Sequence, residues 1–462
     1  MPQQSGASLE ATGRGSPFSR LSPTLIERCL LPLDLKDRVR CMLVNRKIWE
    51  IGKEGTLLWE SVGCKPESTQ SMSGVLDWII VHHHQVRRLS LRPSEGLVPA
   101  ALLPLWGMMT SAFAMLASSL VSLDFSMPCK VELAGWIAPL TSLAWLSVSA
   151  PLIIVNADMQ HLKLLRTLEL STSPAEDATQ ETILFDGLKS IPGGSPGRAG
   201  LAALVLDDMV LEELPPTLTH AAASLTRLRL DVNYSEDFGR EGRLPGSISG
   251  LAPLTALTAL QVLEFQHFNS EAIPQEISDF ASYPPSNLRA LSGLVRLALL
   301  NMQYCQLSAI DASLYQLDGL RTLCLSGNPS LTLPRDCAWL GRLVELDIDM
   351  EAAVVNAATI SHMESLERLC LIGYNSHSHC PAPEPASIVR LIQTLRRLPA
   401  LRALYFNNGG QQLLTQSMDA MVAFADFLQR RPGVRLQVAP REVGNPFDGS
   451  WLTWDSVKAG EG

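Results

Sequence analysis

A short aliphatic pattern recurs along most of this 462-residue chain and limits the folds open to it. The pattern is Leu-x-x-Leu-x-Leu with conservative replacements, and twelve copies lie between residues 86 and 406, with a weaker thirteenth at 433–438. Neighbouring central leucines are 22 to 26 or 34 to 36 residues apart, so the longer spacings indicate the same repeat with an insertion of about ten residues. The central leucines are Leu89, Leu123, Leu146, Leu168, Leu204, Leu228, Leu263, Leu297, Leu323, Leu346, Leu369 and Leu404.

Each copy predicts a short strand whose last two apolar side chains point to one face, while the intervening residues point to the other. One such strand cannot bury its leucines alone, but stacked strands form a parallel sheet over a continuous aliphatic core. Because neighbouring strands lie about 4.8 Å apart, twelve copies predict a curved sheet roughly 50 Å long. The aromatic content of 6% leaves aliphatic side chains to fill this core.

The pattern and its period resemble the leucine-rich repeat, and the resemblance covers about residues 80–440. It implies an α/β solenoid with a curved parallel sheet and helical and irregular returns. Asn328 stands three residues after a strand, where its side-chain amide is expected to bond the backbone of neighbouring turns. Most other copies lack this Asn, so the array is expected to be irregular.

The segments between strands predict returns of different kinds. Residues 97–119 and 386–398 have helical spacing, and residues 411–429 predict an amphipathic helix that, with Trp451 and Trp454, covers the open end of the solenoid. Three segments rich in Gly, Pro and charge predict surface insertions, which either carry specificity or are merely tolerated: 171–200, 231–250 and 373–386.

Composition excludes several classes of protein. Hydrophobic residues make up 46% of the chain and charged residues 18%, which excludes a mostly disordered chain. The net charge of −9 argues against a nucleic-acid binder. The nine cysteines are never spaced as CxxC, so we expect reduced thiols in the cytoplasm or nucleus. The N-terminus has no apolar segment typical of a secretory signal, and a short organelle transit peptide is the weaker alternative.

Three uncharged stretches, 97–123, 133–157 and 244–263, are long enough by count to span a bilayer. All three contain prolines and fall in phase with the repeat. We therefore expect no membrane insertion.

Residues 21–62 do not follow the repeat and predict two or three short amphipathic helices. This segment resembles an F-box, although Ser22, Cys29, Asn45 and Trp49 depart from the family pattern. The matching positions are Leu21, Leu25, Ile26, Leu30, Leu33, Leu35, Lys36, Asp37, Val39, Leu43, Val44, Arg46, Leu58 and Trp59. The resemblance implies that the segment binds a Skp-type adaptor and, through it, a cullin. The alternative is a helical cap for the solenoid.

Candidate contact residues follow from the two resemblances. The adaptor-binding candidates are Pro23, Leu25, Ile26, Leu30, Leu33 and Val44, whereas we expect Leu43, Trp49 and Trp59 to pack internally. Target binding is expected on outward positions of the sheet, with Trp145 and Tyr405 as aromatic anchors. Arg227, Arg229 and Arg296 are predicted to lie within roughly 10 Å and to clamp one acidic group, unless the face is simply solvated. Glu264 and Asp347 complete the target-binding candidates.

No sequence motif indicates catalysis or a resident cofactor. GxGxxG, GxxxxGK[ST], HExxH and GxSxG are absent, and His82–His84 and His377–Cys380 lack metal-ligand spacing. The sequence therefore predicts no enzyme, no cofactor and no metal, but a substrate receptor of a cullin-type ubiquitin ligase that holds an unknown protein target. An intracellular interaction scaffold for signalling or defence is the alternative. The predicted domains are a disordered 1–20, an F-box-like 21–62, a linker or cap 63–85, a solenoid 86–410 and a C-terminal cap 411–462.

Overall fold

The computed structural model describes residues 21–33, 35–44, 46–54, 56–94, 97–133, 135–155, 159–171, 182–184, 200–207, 214, 216–233, 252–268, 288–303, 305, 307–310, 312–335, 339–372, 383–415 and 417–438. The chain divides into two compact units, Met1–Pro128 and Cys129–Gly462. The three predicted insertions lie largely outside the described residues, and His377, Cys380, Trp451 and Trp454 lie entirely outside them.

The first unit begins with four short described helices between residues 23 and 60, where the sequence predicted two or three. Ser22 caps the first helix by accepting a hydrogen bond from the Leu25 N–H, and Ser68 and Ser71 form a capping box at the start of the helix Thr69–His82. The helices of this unit are α1 (Pro23–Leu30), α2 (Leu35–Val44), α3 (Arg46–Glu54), α4 (Thr56–Glu60), α5 (Thr69–His82), α6 (Pro99–Leu102) and α7 (Trp106–Met115). The last two confirm the helical return predicted for 97–119.

Three parallel strands form the sheet of the first unit: β1 (Ser61–Cys64), β2 (Arg88–Leu91) and β3 (Ser122–Ser126). Leu89 of β2 is in register with Val62 of β1 and Leu123 of β3, so the buried side chains form one row. The sequence repeat predicted β2 and β3 but not β1, because SVGC lacks the leucine pattern. Phe113 of α7 packs edge-on against Phe125, with ring centroids 5.5 Å apart.

The Arg38 side chain connects the helices of the first unit to β1 by hydrogen bonds. It is buried and donates to four carbonyl oxygens at distances from 2.5 to 3.0 Å. These acceptors belong to Leu31, Leu33, Leu58 and Ser61. A buried guanidinium is tolerated because its N–H groups find fixed partners.

The second unit contains a long parallel sheet, in which each strand pairs with the next along the chain. Its strands are β5 (Trp145–Ser149), β7 (Thr167–Ser171), β9 (Ala203–Asp207), β10 (Arg227–Asn233), β11 (Val262–Phe268), β12 (Leu299–Gln303), β13 (Thr322–Cys324), β14 (Glu345–Asp349), β15 (Arg368–Ile372), β16 (Ala403–Phe406) and β17 (Arg435–Val438). A smaller parallel sheet comprises β4 (Val131–Glu132), β6 (Leu152–Ile154) and β8 (Thr182–Leu184). Strand β17 confirms the weak thirteenth copy.

The register of the second unit agrees with the predicted central leucines except at β12. Leu300, and not Leu297, pairs with Leu263 of β11 and Leu323 of β13. Leu297 is buried in the turn before the strand, where it occupies the first leucine position of the copy. The predicted copy LVRLAL was therefore wrong by three residues, because an adjacent Leu-x-x-Leu fits the same pattern.

Asn side chains join successive turns, as the sequence predicted for Asn328. The Asn328 amide donates to the carbonyls of Met302 and Leu325, and its oxygen accepts from the Leu307 N–H at 2.8 Å. Asn356 makes an equivalent set of hydrogen bonds one turn later, although it was not predicted from the sequence. Both side chains are buried, so they supply partners for backbone groups that water cannot reach.

The described α-helices of the second unit follow β14, β15 and β16. They are α8 (Met350–Val355), α9 (Ala357–Ile360), α10 (Pro385–Leu395), α11 (Asn408–Thr415) and α12 (Met418–Arg430). The buried face of α10 confirms the helical return predicted for 386–398. The single helix predicted for 411–429 is wrong, because Ser417 caps α12 and separates it from α11. No described helix is long and apolar enough to cross a bilayer.

Candidate protein-binding surface

The candidate surface is the outward face of the sheet in the second unit, opposite the buried leucines. On β5 and β7 the buried and half-buried positions alternate, which leaves Trp145 and Glu169 half-buried on this face. The Trp145 indole Nε1 donates to the Glu169 carboxylate at 3.3 Å. The predicted aromatic anchor is therefore oriented by a neighbouring strand.

The predicted arginine clamp holds a carboxylate of this chain. Arg227 Nη2 lies 3.0 Å from Glu264 Oε1, and Arg229 Nε lies 3.8 Å from Glu264 Oε2. Arg229 also pairs with Asp207 of β9, at 3.1 Å. These ion pairs span β9, β10 and β11, so an acidic target group would have to compete with Glu264 for the same guanidinium groups.

Arg296 does not join this cluster. The shifted register of β12 leaves Arg296 exposed in the turn before the strand, whereas Leu299 and Asn301 occupy the outward positions beside Val262 and Glu264. Arg296 therefore does not occupy the outward strand position that the sequence predicted for it. Whether Arg296 contacts a target stays a prediction.

From β12 to β15 the outward face is buried rather than open. Six neighbouring side chains form what we call the Asp347 patch: Asn301, Gln303, Cys324, Ser326, Asp347 and Cys370. Asp347 Oδ2 accepts from Gln303 Nε2 at 2.7 Å and from Ser326 Oγ at 3.0 Å. Burial raises the pKa of Asp347 to about 7, although the hydrogen bonds from Ser326, Gln303 and Cys370 lower it.

Asp347 was predicted from the sequence, but its partner Gln303 was not. Gln303 and Asn301, which donates to Gln303, lie on a strand that was placed three residues too early, so they fell outside the predicted outward positions. The alternation Leu-Asn-Met-Gln at 300–303 carried a signal for them, because polar residues at every second position typically share a face.

Charged and aromatic groups complete the buried section of the face. Arg368 of β15 pairs with Glu345 of β14, and burial lowers the pKa of the Arg368 guanidinium. Asp349 accepts hydrogen bonds from the backbone N–H groups of Gly327 and Asn328, at 3.0 and 2.7 Å. Tyr405, the second predicted anchor, is half-buried and packs beside Cys370.

The candidate adaptor-binding residues in the first unit differ in their exposure to solvent. Pro23 and Leu25 are exposed and Leu33 is half-buried, whereas Ile26 and Leu30 are buried. The side chain of Val44, at the end of α2, lies outside the described residues. Trp59 is buried as expected, but the expected internal packing of Leu43 and Trp49 was wrong, since 77% of Leu43 and 46% of Trp49 is exposed.

One histidine at the end of α5 packs against an aromatic ring of the same helix. The His82 ring stacks on Trp78, with centroids 4.6 Å apart, and burial lowers the pKa of His82. Within the described part of the chain, no group of three His, Cys, Asp or Glu side chains is placed to hold a metal ion.

Comparisons with known proteins return solved structures only. An internalin (inlF) from Listeria monocytogenes is 14% identical over 74% of this chain and 85% of its own, with a TM-score of 0.35. A leucine-rich-repeat protein of Leptospira interrogans is 15% identical over 76% and 90%, also at 0.35. Internalin C2 from Listeria monocytogenes is 17% identical over 46% and 64%, at 0.23. No protein-family model matches the chain, and no curated protein does.

The fold follows from the strand register itself. Parallel strands with one central leucine each, in register from strand to strand, form the leucine-rich-repeat solenoid of the second unit.

Proposed function

We propose that the protein is a non-catalytic receptor that binds a protein target on the outward face of β5 to β11. The observation that carries this proposal is the row of oriented polar and aromatic side chains on a rigid sheet, where Trp145, Glu169, Arg227 and Arg229 are neither buried nor fully solvated. Aromatic and arginine side chains held in place lose little entropy on binding and are common in binding hot spots.

The target site is tested by affinity purification with Trp145→Ala. We expect a bound protein to lose affinity by about tenfold or more, because a hot-spot aromatic contributes at least about 1.4 kcal/mol. Tyr315→Ala is the control, since Tyr315 is exposed on a return outside the sheet. An equal loss of target affinity in both variants, or no loss in either, would contradict a target-binding site on β5.

The finer proposal is that the receptor belongs to a cullin-type ubiquitin ligase. Its support is the F-box resemblance of residues 21–62, together with the exposed apolar side chains Leu25, Leu31, Leu43 and Trp49 on or beside α1 to α3. A Skp-type adaptor would cover such side chains in an apolar groove. The receptor would then act by raising the concentration of its target near a ubiquitin-charged enzyme, in the cytoplasm or nucleus.

A binding assay with a purified Skp-type adaptor tests this proposal. Leu25→Asp combined with Leu43→Asp introduces charge at exposed positions, so the variant is expected to fold and to lose the adaptor. Leu164→Asp, an exposed site in the second unit, is the matched control and should retain it. If the unaltered protein retains no adaptor, the helices act as a cap and the scaffold alternative is favoured.

A further inference from the structure

The Asp347 patch contains a carboxyl group that is unusually enclosed for a side chain on the outward face. Only 4% of Asp347 is exposed. Its position on β14 is in register with Cys324 on one side and Cys370 on the other. Both thiols are buried, and burial raises the pKa of each, so they stay neutral neighbours.

The two oxygens of this carboxyl have different environments. Oδ2 accepts both hydrogen bonds, from Gln303 and Ser326. Oδ1 is buried and has no nitrogen or oxygen donor among the described residues. The Cys370 thiol, a weak donor, lies beside the carboxyl. A carboxylate in this setting would carry a charge that is only partly compensated.

The charged groups around the patch do not supply the missing compensation. Arg368, on the adjacent strand β15, is paired with Glu345. The remaining titratable groups on the surrounding described elements are acidic or neutral: Glu264 on β11, Asp349 on β14, Glu351 on α8 and Tyr405 on β16. None of these groups supplies a positive charge that would favour the ionised form of Asp347.

We propose that the Asp347 patch is a pH-sensitive device, in which a proton on the Asp347 carboxyl keeps the outward face of β12 to β15 closed to water. The neutral acid fits the buried site and adds a donor at Oδ1. The ionised form carries a charge that the hydrogen bonds to Oδ2 compensate only in part, and water that enters between Gln303, Ser326 and Asp347 would solvate it. The closed section borders the partly exposed face of β5 to β11, so its opening would enlarge the accessible surface of the sheet.

The pKa of about 7 for Asp347 is consistent with this geometry. Because the folded pKa lies above the usual value of 3.8, the unfolded chain ionises first as pH rises. The stabilising effect of the neutral acid is therefore fully present below about pH 4, decreases up to about pH 7 and stays constant above it.

Aspartate-selective ¹³C NMR of the full chain tests the proton directly. We expect the Asp347 carboxyl signal, identified by its absence in Asp347→Asn, to titrate with a midpoint near 7. Ser326→Ala removes a hydrogen bond that favours the charged form, so it should raise this midpoint and serves if Asp347→Asn fails to fold. A midpoint near 4 would overturn the proposal.

Amide hydrogen exchange tests the opening. Peptides from β12 to β15 should exchange faster above pH 7 than below it, after correction for intrinsic rates, and Asp347→Asn should abolish this change. Between pH 4 and 7, the unfolding equilibrium constant of the unaltered protein should rise by roughly tenfold per pH unit relative to that of Asp347→Asn. The variant should therefore become the relatively more stable protein as the pH rises. Asp124→Asn, at an outward position in the first unit that pairs with Arg92, is the control. Exchange that does not change with pH in the unaltered protein would exclude the device.

Discussion

Single buried polar residues hold neighbouring elements together in both units. Arg38 binds four carbonyls of the first unit, and Asn328 and Asn356 bind backbone groups of successive turns in the second. Of these three residues the sequence predicted only Asn328, which stands three residues after a predicted strand of the repeat. From its sequence, an arginine in an amphipathic helix such as α2 is expected to face solvent. Only the folded structure shows the carbonyl groups that surround Arg38.

Replacing Asn328 by alanine is expected to lower the free energy of unfolding by roughly 2–4 kcal/mol. The substitution leaves the Leu307 N–H and the Met302 and Leu325 carbonyls without their partner in a site from which water is excluded. Denaturant unfolding followed by circular dichroism measures the change. Gln411→Ala, on the exposed side of α11, should change stability by less than about 0.5 kcal/mol, and equal effects would contradict the role of Asn328.

At the scale of elements, local sequence predicted the helical returns at 97–119 and 386–398 and most strands, but it did not predict α5, α8 or α9. Helix α10 has an apolar face with helical spacing, whereas the break between α11 and α12 depends on the cap at Ser417. At β12 the run LVRLALLNM allows two phases, and pairing with β11 and β13 selects the later one. A short pattern cannot distinguish these phases, since both place leucines at alternate positions.

Close approach between successive returns is testable at Gly319. A Cβ atom there would lie 2.9 Å from the Val295 carbonyl oxygen and 3.0 Å from that of Leu297, so Gly319→Ala is expected to cost roughly 1–3 kcal/mol. Gly74 of α5 has open space around it, and Gly74→Ala should stabilise the protein by about 0.5–1 kcal/mol. Thermal melts of both variants measure the shifts. If the melting temperatures of both variants shift in the same direction, close packing of the returns does not explain the glycine at position 319.

At the scale of the whole molecule, the second unit has one aliphatic core that runs from strand to strand. In such arrays stability is approximately the sum of repeat and neighbour terms, so the position of a residue along the array decides its effect. Interior leucines contact strands on both sides, whereas Leu436 lies on β17, the last strand of the sheet, and is 43% exposed.

Leu346→Ala is therefore expected to lower the free energy of unfolding by roughly 2–5 kcal/mol, because Leu346 of β14 is 1% exposed. Leu436→Ala should cost less than about 1 kcal/mol, since much of its side chain already contacts water. Equilibrium urea unfolding of the two variants gives the comparison. A similar loss at both positions would contradict a gradient in burial along the array.

The leucine phase alone was sufficient to predict the parallel solenoid, since a period-two strand with two buried leucines leaves few other ways to cover its core. The outward face required the folded chain. Gln303 and Asp347 are 44 residues apart and meet only through the stacking of β12, β13 and β14. Distant neighbours of this kind decide whether an outward side chain is exposed, paired or buried. A local sequence pattern does not show which residues those neighbours are.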